Sequence, residues 1–138
     1  MIILKKMMGI VLFFGILALA VFYVFSLMAD PFDARNAEEI TMTPAEKNSR
    51  PLRIEKKQYI NGILDTFNKG KRMKENNAYD LDSPAYHGSI KMSDTDHVPF
   101  TVWLKKDGAI ILKNEEKTYY HLNEREKAKF IENVQKGT

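Results

Sequence analysis

Hydrophobic positions fall along this chain in three rhythms. The first is unbroken: Met7 to Met28 reads MMGIVLFFGILALAVFYVFSLM and holds no charged residue. As a helix it spans about 33 Å at about 1.5 Å per residue, which matches a hydrocarbon core of about 30 Å. Thirteen of these residues are Leu, Ile, Val or Phe. At about −0.3 to −0.6 kcal/mol each they favour insertion by roughly 4 to 8 kcal/mol. Tyr23 stands near the far end, where an amphipathic ring suits the interface. Lys5 and Lys6 precede the run, and Asp30, Asp33, Glu38 and Glu39 follow it with Arg35 alone among them. Positive flanks stay on the cytoplasmic side, so the expected topology is N-terminus inside and the rest outside. A cleaved signal peptide competes with this, since Ala18-Leu19-Ala20 has the small-x-small form of a cleavage site. The apolar run continues well past Ala20, longer than the about 7 to 15 residues of a signal core. An uncleaved signal-anchor over residues 1–29 is therefore preferred.

The second rhythm is helical. Ile60, Ile63, Leu64 and Phe67 are spaced i, i+3, i+4, i+7, with Ile54 added roughly to the same side. Gly70 reads as the stop, and Lys69 and Lys71 suit the negative end of the dipole. Gly62 inside this helix costs about 1 kcal/mol relative to Ala. A closing helix starts at the capping box Asn123-Glu124-Arg125-Glu126, with Ala128, Phe130, Ile131 and Val134 on its apolar side.

The third rhythm has period two. Tyr86, Ile90 and Met92 alternate with His87, Ser89 and Lys91, and Val98, Phe100, Val102 and Leu104 alternate with Pro99, Thr101, Trp103 and Lys105. Ala109–Lys113 and Thr118–Leu122 complete a meander. The turn at Lys105-Lys106-Asp107-Gly108 decides which side chains share a face. A two-residue Asp-Gly turn groups Trp103 with Ile110 and Leu112. A three-residue loop with Gly108 left-handed groups Phe100, Val102, Leu104, Ile110 and Leu112, and leaves Trp103 and Ile111 opposite. Burial sets register, so the second is expected.

Between anchor and helix, residues 30–50 carry Pro31, Pro44 and many polar side chains, and read as a polar spacer. Within it Thr43-Pro44-Ala45-Glu46 fits a capping box and allows one helical turn. Lys71 to Ser83 reads as a loop. The expected organisation is a cytoplasmic stub and transmembrane helix (1–29), a linker (30–50) and an extracytoplasmic α+β domain (51–138) of helix, three- or four-stranded antiparallel meander, and helix. A helix followed by such a meander resembles cystatin-like domains in topology alone, with no cystatin signature in the sequence.

Composition narrows the chemistry. The chain has 138 residues, 44% hydrophobic and 28% charged, which suits one small globular domain and excludes a disordered chain. It has no cysteine, which excludes disulfides, thiolate metal sites and Cys nucleophiles. Lysine predominates among its 21 basic residues, a bias that fits an exported protein of a low-GC Gram-positive bacterium. Asp94, Asp96 and His97 offer mixed metal ligands, but without H-E-x-x-H or EF-hand spacing and in a stretch of ordinary turn residues. His121 sits beside Tyr119 and Tyr120 as a boundary residue. No serine stands in G-x-S-x-G, no P-loop or G-x-G-x-x-G exists, and Glu115-Glu116 falls in a turn. The expectation is a protein that is not an enzyme and uses no cofactor or metal.

Two surfaces remain. Lys69, Lys71, Arg72 and Lys74, with Lys56 and Lys57 before them, form a basic cluster that suits an anionic surface or polymer, or is simply solvated. An outside location argues against nucleic acid, and no small-molecule substrate is evident. Trp103 lies on the second sheet face, and tryptophan is enriched at hot spots. Trp103, Ile111, Thr101 and Lys105 are the expected binding surface. The leading functional expectation is a single-pass membrane protein whose outer domain binds another envelope or membrane protein as an accessory or regulatory subunit. The alternative is a secreted or anchored inhibitor or immunity-type protein.

Overall fold

The computed structural model describes residues 2–28, 30–74 and 81–138, the side chains of 2–4 and 23–28 excepted. The interfacial role expected of Tyr23, and residues 75–80 of the loop expected over Lys71 to Ser83, lie outside the described residues.

Helix α1 (Ile2–Met28) is apolar on every side, and its side chains from Lys5 to Phe22 are exposed. It is long and apolar enough to be a membrane anchor or a signal, with a mean hydropathy of 2.0 over that window. The second compact unit, Pro31–Thr138, begins almost where α1 ends.

That unit follows the order β1 (Ala37–Pro44), β2 (Leu52–Ile54), α2 (Lys57–Asn68), β3 (Lys71–Arg72), β4 (Tyr86–Met92), β5 (His97–Lys105), β6 (Gly108–Lys113), β7 (Thr118–Asn123) and α3 (Glu124–Gly137). All strand pairs are antiparallel, in the spatial order β2-β1-β4-β5-β6-β7-β3. The two edge strands are only three and two residues long, which leaves little unpaired backbone to template another chain. Both helices cover one sheet face. Phe67 of α2 meets Phe100 of β5 at 5.4 Å between ring centroids, and Phe130 of α3 meets Tyr86 of β4 at 6.3 Å. Ile40, Met42, Ile54, Ile90, Phe100, Val102, Ala109, Ile111 and Leu122 line this face and are at most 1% exposed. Each large one contributes about 1.5 to 3 kcal/mol of burial energy.

The α+β class and the four meander strands agree with the hydrophobic pattern. So does the capping box: Asn123 Oδ1 accepts from the Glu126 N–H at 2.8 Å, and Glu126 Oε1 accepts from the Asn123 N–H at 2.9 Å. Gly62 has a packing reason, since a Cβ there would lie 2.4 Å from Asn133 Oδ1 of α3.

Several expectations are corrected. The strand number is seven among the described residues, not three or four. Residues 30–50 are not a polar spacer. Phe32, Ala37, Ile40 and Met42 are buried, and β1 lies inside the sheet between β2 and β4. Its alternation is interrupted by a register shift between Ala37 and Glu39, so the period-two signal is short. Pro44 closes β1 opposite Tyr86, and the helical turn expected at Thr43-Pro44-Ala45-Glu46 does not form. Ile54 belongs to β2 rather than to the helix. Gly70 does follow the end of α2, which closes at Asn68 with Lys69 as its right-handed cap, but without a positive φ. Lys71 and Arg72 form an edge strand on β7. Ala128 is exposed.

The β5–β6 turn also differs. Lys105 pairs with Gly108, Trp103 with Ile110 and Val102 with Ile111, so a two-residue Lys106-Asp107 turn joins the strands. Gly108 is needed for close approach: a Cβ there would sit 2.3 Å from the Leu122 carbonyl oxygen of β7. Ile111 consequently faces the core, fully buried, and not the second face.

Candidate functional site

Helices α2 and α3 lie on one face of the sheet, and the expected surface residues fall on the other. Antiparallel pairing lays its side chains out in two rows. One runs Thr43, His87, Thr101, Leu112, Tyr119 across β1, β4, β5, β6 and β7. The adjoining row runs Trp103, Ile110, His121, Lys71 across β5, β6, β7 and β3.

Trp103 is held rather than displayed. Its Nε1–H donates to the Asp82 carbonyl at 2.8 Å, its ring lies 6.1 Å from that of Tyr119, and it is 9% exposed. Lys105, half-buried, places its Nζ 3.7 Å from Asp82 Oδ2. The Ala85 N–H donates to the Val102 carbonyl at 2.7 Å as the chain enters β4. Thus the segment preceding β4 shelters the indole. Thr101 is 3% exposed, and its hydroxyl donates to Asn114 Oδ1 at 3.0 Å.

Of the four residues expected to form the surface, Trp103, Thr101 and Lys105 share the outer face. Ile111 does not, and Ile110, 6% exposed, stands beside Trp103 in its place. The residues that the pattern reading missed are Ile110, Leu112 and Tyr119. For Ile110 and Leu112 the signal was present in the Asp-Gly register, which groups them with Trp103, whereas Tyr119 joins them only through the pairing of β6 with β7. Leu112 and Tyr119 are half-exposed and His87 and His121 are exposed, so an apolar strip is bordered by groups that donate and accept hydrogen bonds.

Lys69, Lys71, Arg72 and Lys74 are exposed around the end of α2 and strand β3. Lys57 stands at the start of α2, about 18 Å away along the helix axis. Its ammonium donates to the carbonyls of Ala34, Arg35 and Ala37 at 2.7 to 3.1 Å, so it stabilises the entry to β1. Tyr120, the cross-strand partner of Arg72, has its phenol pKa raised, by burial first and by the Glu116 carboxylate second, with Arg72 opposing. Asp94, Asp96 and His97 lie in and beside the β4–β5 turn, where Asp94 Oδ1 accepts from the Asp96 N–H at 3.2 Å. Among the described residues no three His, Cys, Asp or Glu side chains gather in a metal-holding group.

The comparisons with known proteins match this architecture in extent. The family described as "YhfM protein" matches residues 33–137, nearly the whole of the folded unit. A Bacillus subtilis (strain 168) protein described as "Uncharacterized protein YhfM" is 28% identical over 135 residues, covering 96% of each chain. Coverage that high takes in most of α1 as well. No solved structure matches.

Proposed function

The chain belongs to the YhfM protein family, and from that premise we propose that it is a single-pass membrane protein whose outer domain binds another envelope or membrane protein as an accessory or regulatory subunit. The observation that carries this reading is that the chain joins α1 to a folded unit whose outer sheet face bears the half-exposed Leu112 and Tyr119. Lys5 and Lys6 before the apolar run, and acidic residues after it, support an N-terminus in the cytoplasm. The domain acts by binding rather than by chemistry, and the strip is its contact surface.

Topology and contact are tested together. Protease added to wall-free cells should digest the chain beyond residue 30, while a tag placed before Lys5 stays intact. Protection of the outer domain would overturn the orientation. A mature chain beginning at Val21 would instead favour the secreted inhibitor reading. A photocrosslinker at Tyr119 should yield a discrete adduct with one envelope protein, and one at Glu132 on the helical side should not. Equal adducts from both positions would overturn the assignment of the outer face.

A further inference from the structure

We propose that the corner of the domain at which the chain arrives from α1 binds anionic phospholipid headgroups through Lys69, Lys71, Arg72 and Lys74. The inference rests on the reading of α1 as a membrane anchor.

The corner is built from residues far apart in sequence. Asn68 exchanges two hydrogen bonds with the Phe32 backbone. The Phe32 ring packs 5.3 Å from Phe67 and 6.1 Å from Tyr120. Lys113 Nζ donates to the Pro31 carbonyl at 2.7 Å and lies 5.6 Å from the Phe32 ring centre. The start of the folded unit is thus fixed beside Asn68 and Tyr120. Lys69 follows Asn68 directly, and Arg72 pairs with Tyr120 across β3 and β7. Lys69 and Arg72 therefore flank the entry point, and Lys71 and Lys74 lie within two residues of them along the chain.

Covalent reach links that point to the bilayer. Pro31 is three residues from Met28, so it stays within about 11 Å of the end of the apolar run whatever the intervening conformation. Lys69, Lys71, Arg72 and Lys74 are exposed, and among the described residues none has a carboxylate at ion-pair distance. Of the acids on the adjoining segments, Glu116 pairs with Lys113 at 2.9 Å, Asp33 accepts from the Arg35 N–H and from Asn36 Nδ2, and Asp30 is exposed, one opposing charge against four basic ones. Each basic residue near an anionic membrane multiplies surface partition by about fivefold, so four shift the docked fraction by more than about a hundredfold. Phosphodiester headgroups supply that charge at the distance the tether permits.

The absence of cysteine makes the test site-specific. The full chain carrying Glu115→Cys, labelled with a fluorophore, is placed in nanodiscs containing nitroxide-headgroup lipid, either neutral or with about 30% phosphatidylglycerol. Quenching should be stronger in the anionic discs and should collapse at about 0.5 M salt, where the Debye length is only about 4 Å. Changing Lys69, Lys71, Arg72 and Lys74 together to Gln should lower quenching to the level of neutral discs. Equal quenching of the unmodified-cluster chain in both lipids would overturn the proposal, and this comparison holds even if the fourfold variant misfolds. Displacement by soluble poly(glycerol phosphate) at lower phosphate concentration than the lipid would also overturn it, by assigning the cluster to a polymer. Failure of the chain to remain with the discs in alkaline carbonate would count against the anchor. Lipid-independent quenching of an embedded chain would count against this inference alone.

Discussion

Asn68 and Phe32, 36 residues apart, exchange two hydrogen bonds: the Phe32 N–H donates to Asn68 Oδ1 at 2.8 Å, and Asn68 Nδ2 donates to the Phe32 carbonyl at 2.9 Å. The side-chain amide presents a donor and an acceptor side by side, as the edge of a β-strand does. It fastens the residues that follow α1 to the end of α2, while Lys57 and Lys113 hold the same stretch by the carbonyls of Pro31, Ala34, Arg35 and Ala37. The stretch that reads as a spacer is thereby part of the domain.

Asn68→Ala leaves the part-buried Phe32 N–H and carbonyl without partners, and should lower stability by about 1 to 3 kcal/mol. Asn68→Asp retains the acceptor and loses the donor, and should fall between Ala and the native residue. Denaturant unfolding of the full chain in detergent, followed by tryptophan fluorescence, measures both.

Val102 and its neighbour Trp103 face opposite sides of the sheet and should respond differently. Val102→Asp places an unpaired charge against Ile111 in the core and should unfold the domain, at a cost of several kcal/mol, roughly. Trp103→Ala releases Asp82 and exposes Ile110, and should cost about 3 kcal/mol without unfolding the domain. Thermal unfolding by circular dichroism ranks the two.

Leu112→Ser and Tyr119→Ser alter half-exposed side chains, and should change stability by no more than about 1 kcal/mol. They should nevertheless weaken crosslinking to the partner several-fold. Unchanged crosslinking in a folded variant would remove the strip from the proposed contact.

Tyr120 predicts an alkaline limit. Burial and Glu116 raise its phenol pKa in the folded state above the ordinary value of about 10. A raised folded-state value means that the stabilisation is complete below about pH 10 and is lost as pH rises through the folded value. Tyr120→Phe should flatten this part of the fall. Denaturant midpoints at about pH 8 and about pH 11, compared between the two chains, isolate the phenol from the lysines.

Asp94→Asn and His97→Ala should change stability by less than about 0.5 kcal/mol, since both residues are exposed and Asn still accepts from the Asp96 N–H. Calorimetric titration with divalent zinc or calcium should show no stoichiometric heat. A stoichiometric site abolished by either substitution would make this turn a metal centre.

Local physics made much of this legible in the sequence. The apolar run of α1 is long and uncharged, and needs no partner to be recognised as a candidate span. The stripe Ile60, Ile63, Leu64 and Phe67, the Asn123 to Glu126 capping box and the alternation of β4 to β7 are each set within a few residues by helical or pleated geometry. What lay outside its reach were relationships between distant segments. The inclusion of β1 depends on β2 and β4, and the burial of Phe32 depends on Asn68, Phe67 and Lys113. The burial of Trp103 depends on Asp82, 21 residues upstream. The apolar grouping along β5 and β6 favours a three-residue loop, whereas the strands pair Lys105 with Gly108, where Gly108 also packs closely against the Leu122 carbonyl of β7. Periodicity is a property of the chain and can be read along it. Register and cover are properties of the space between segments, and exist only once packing has brought them together.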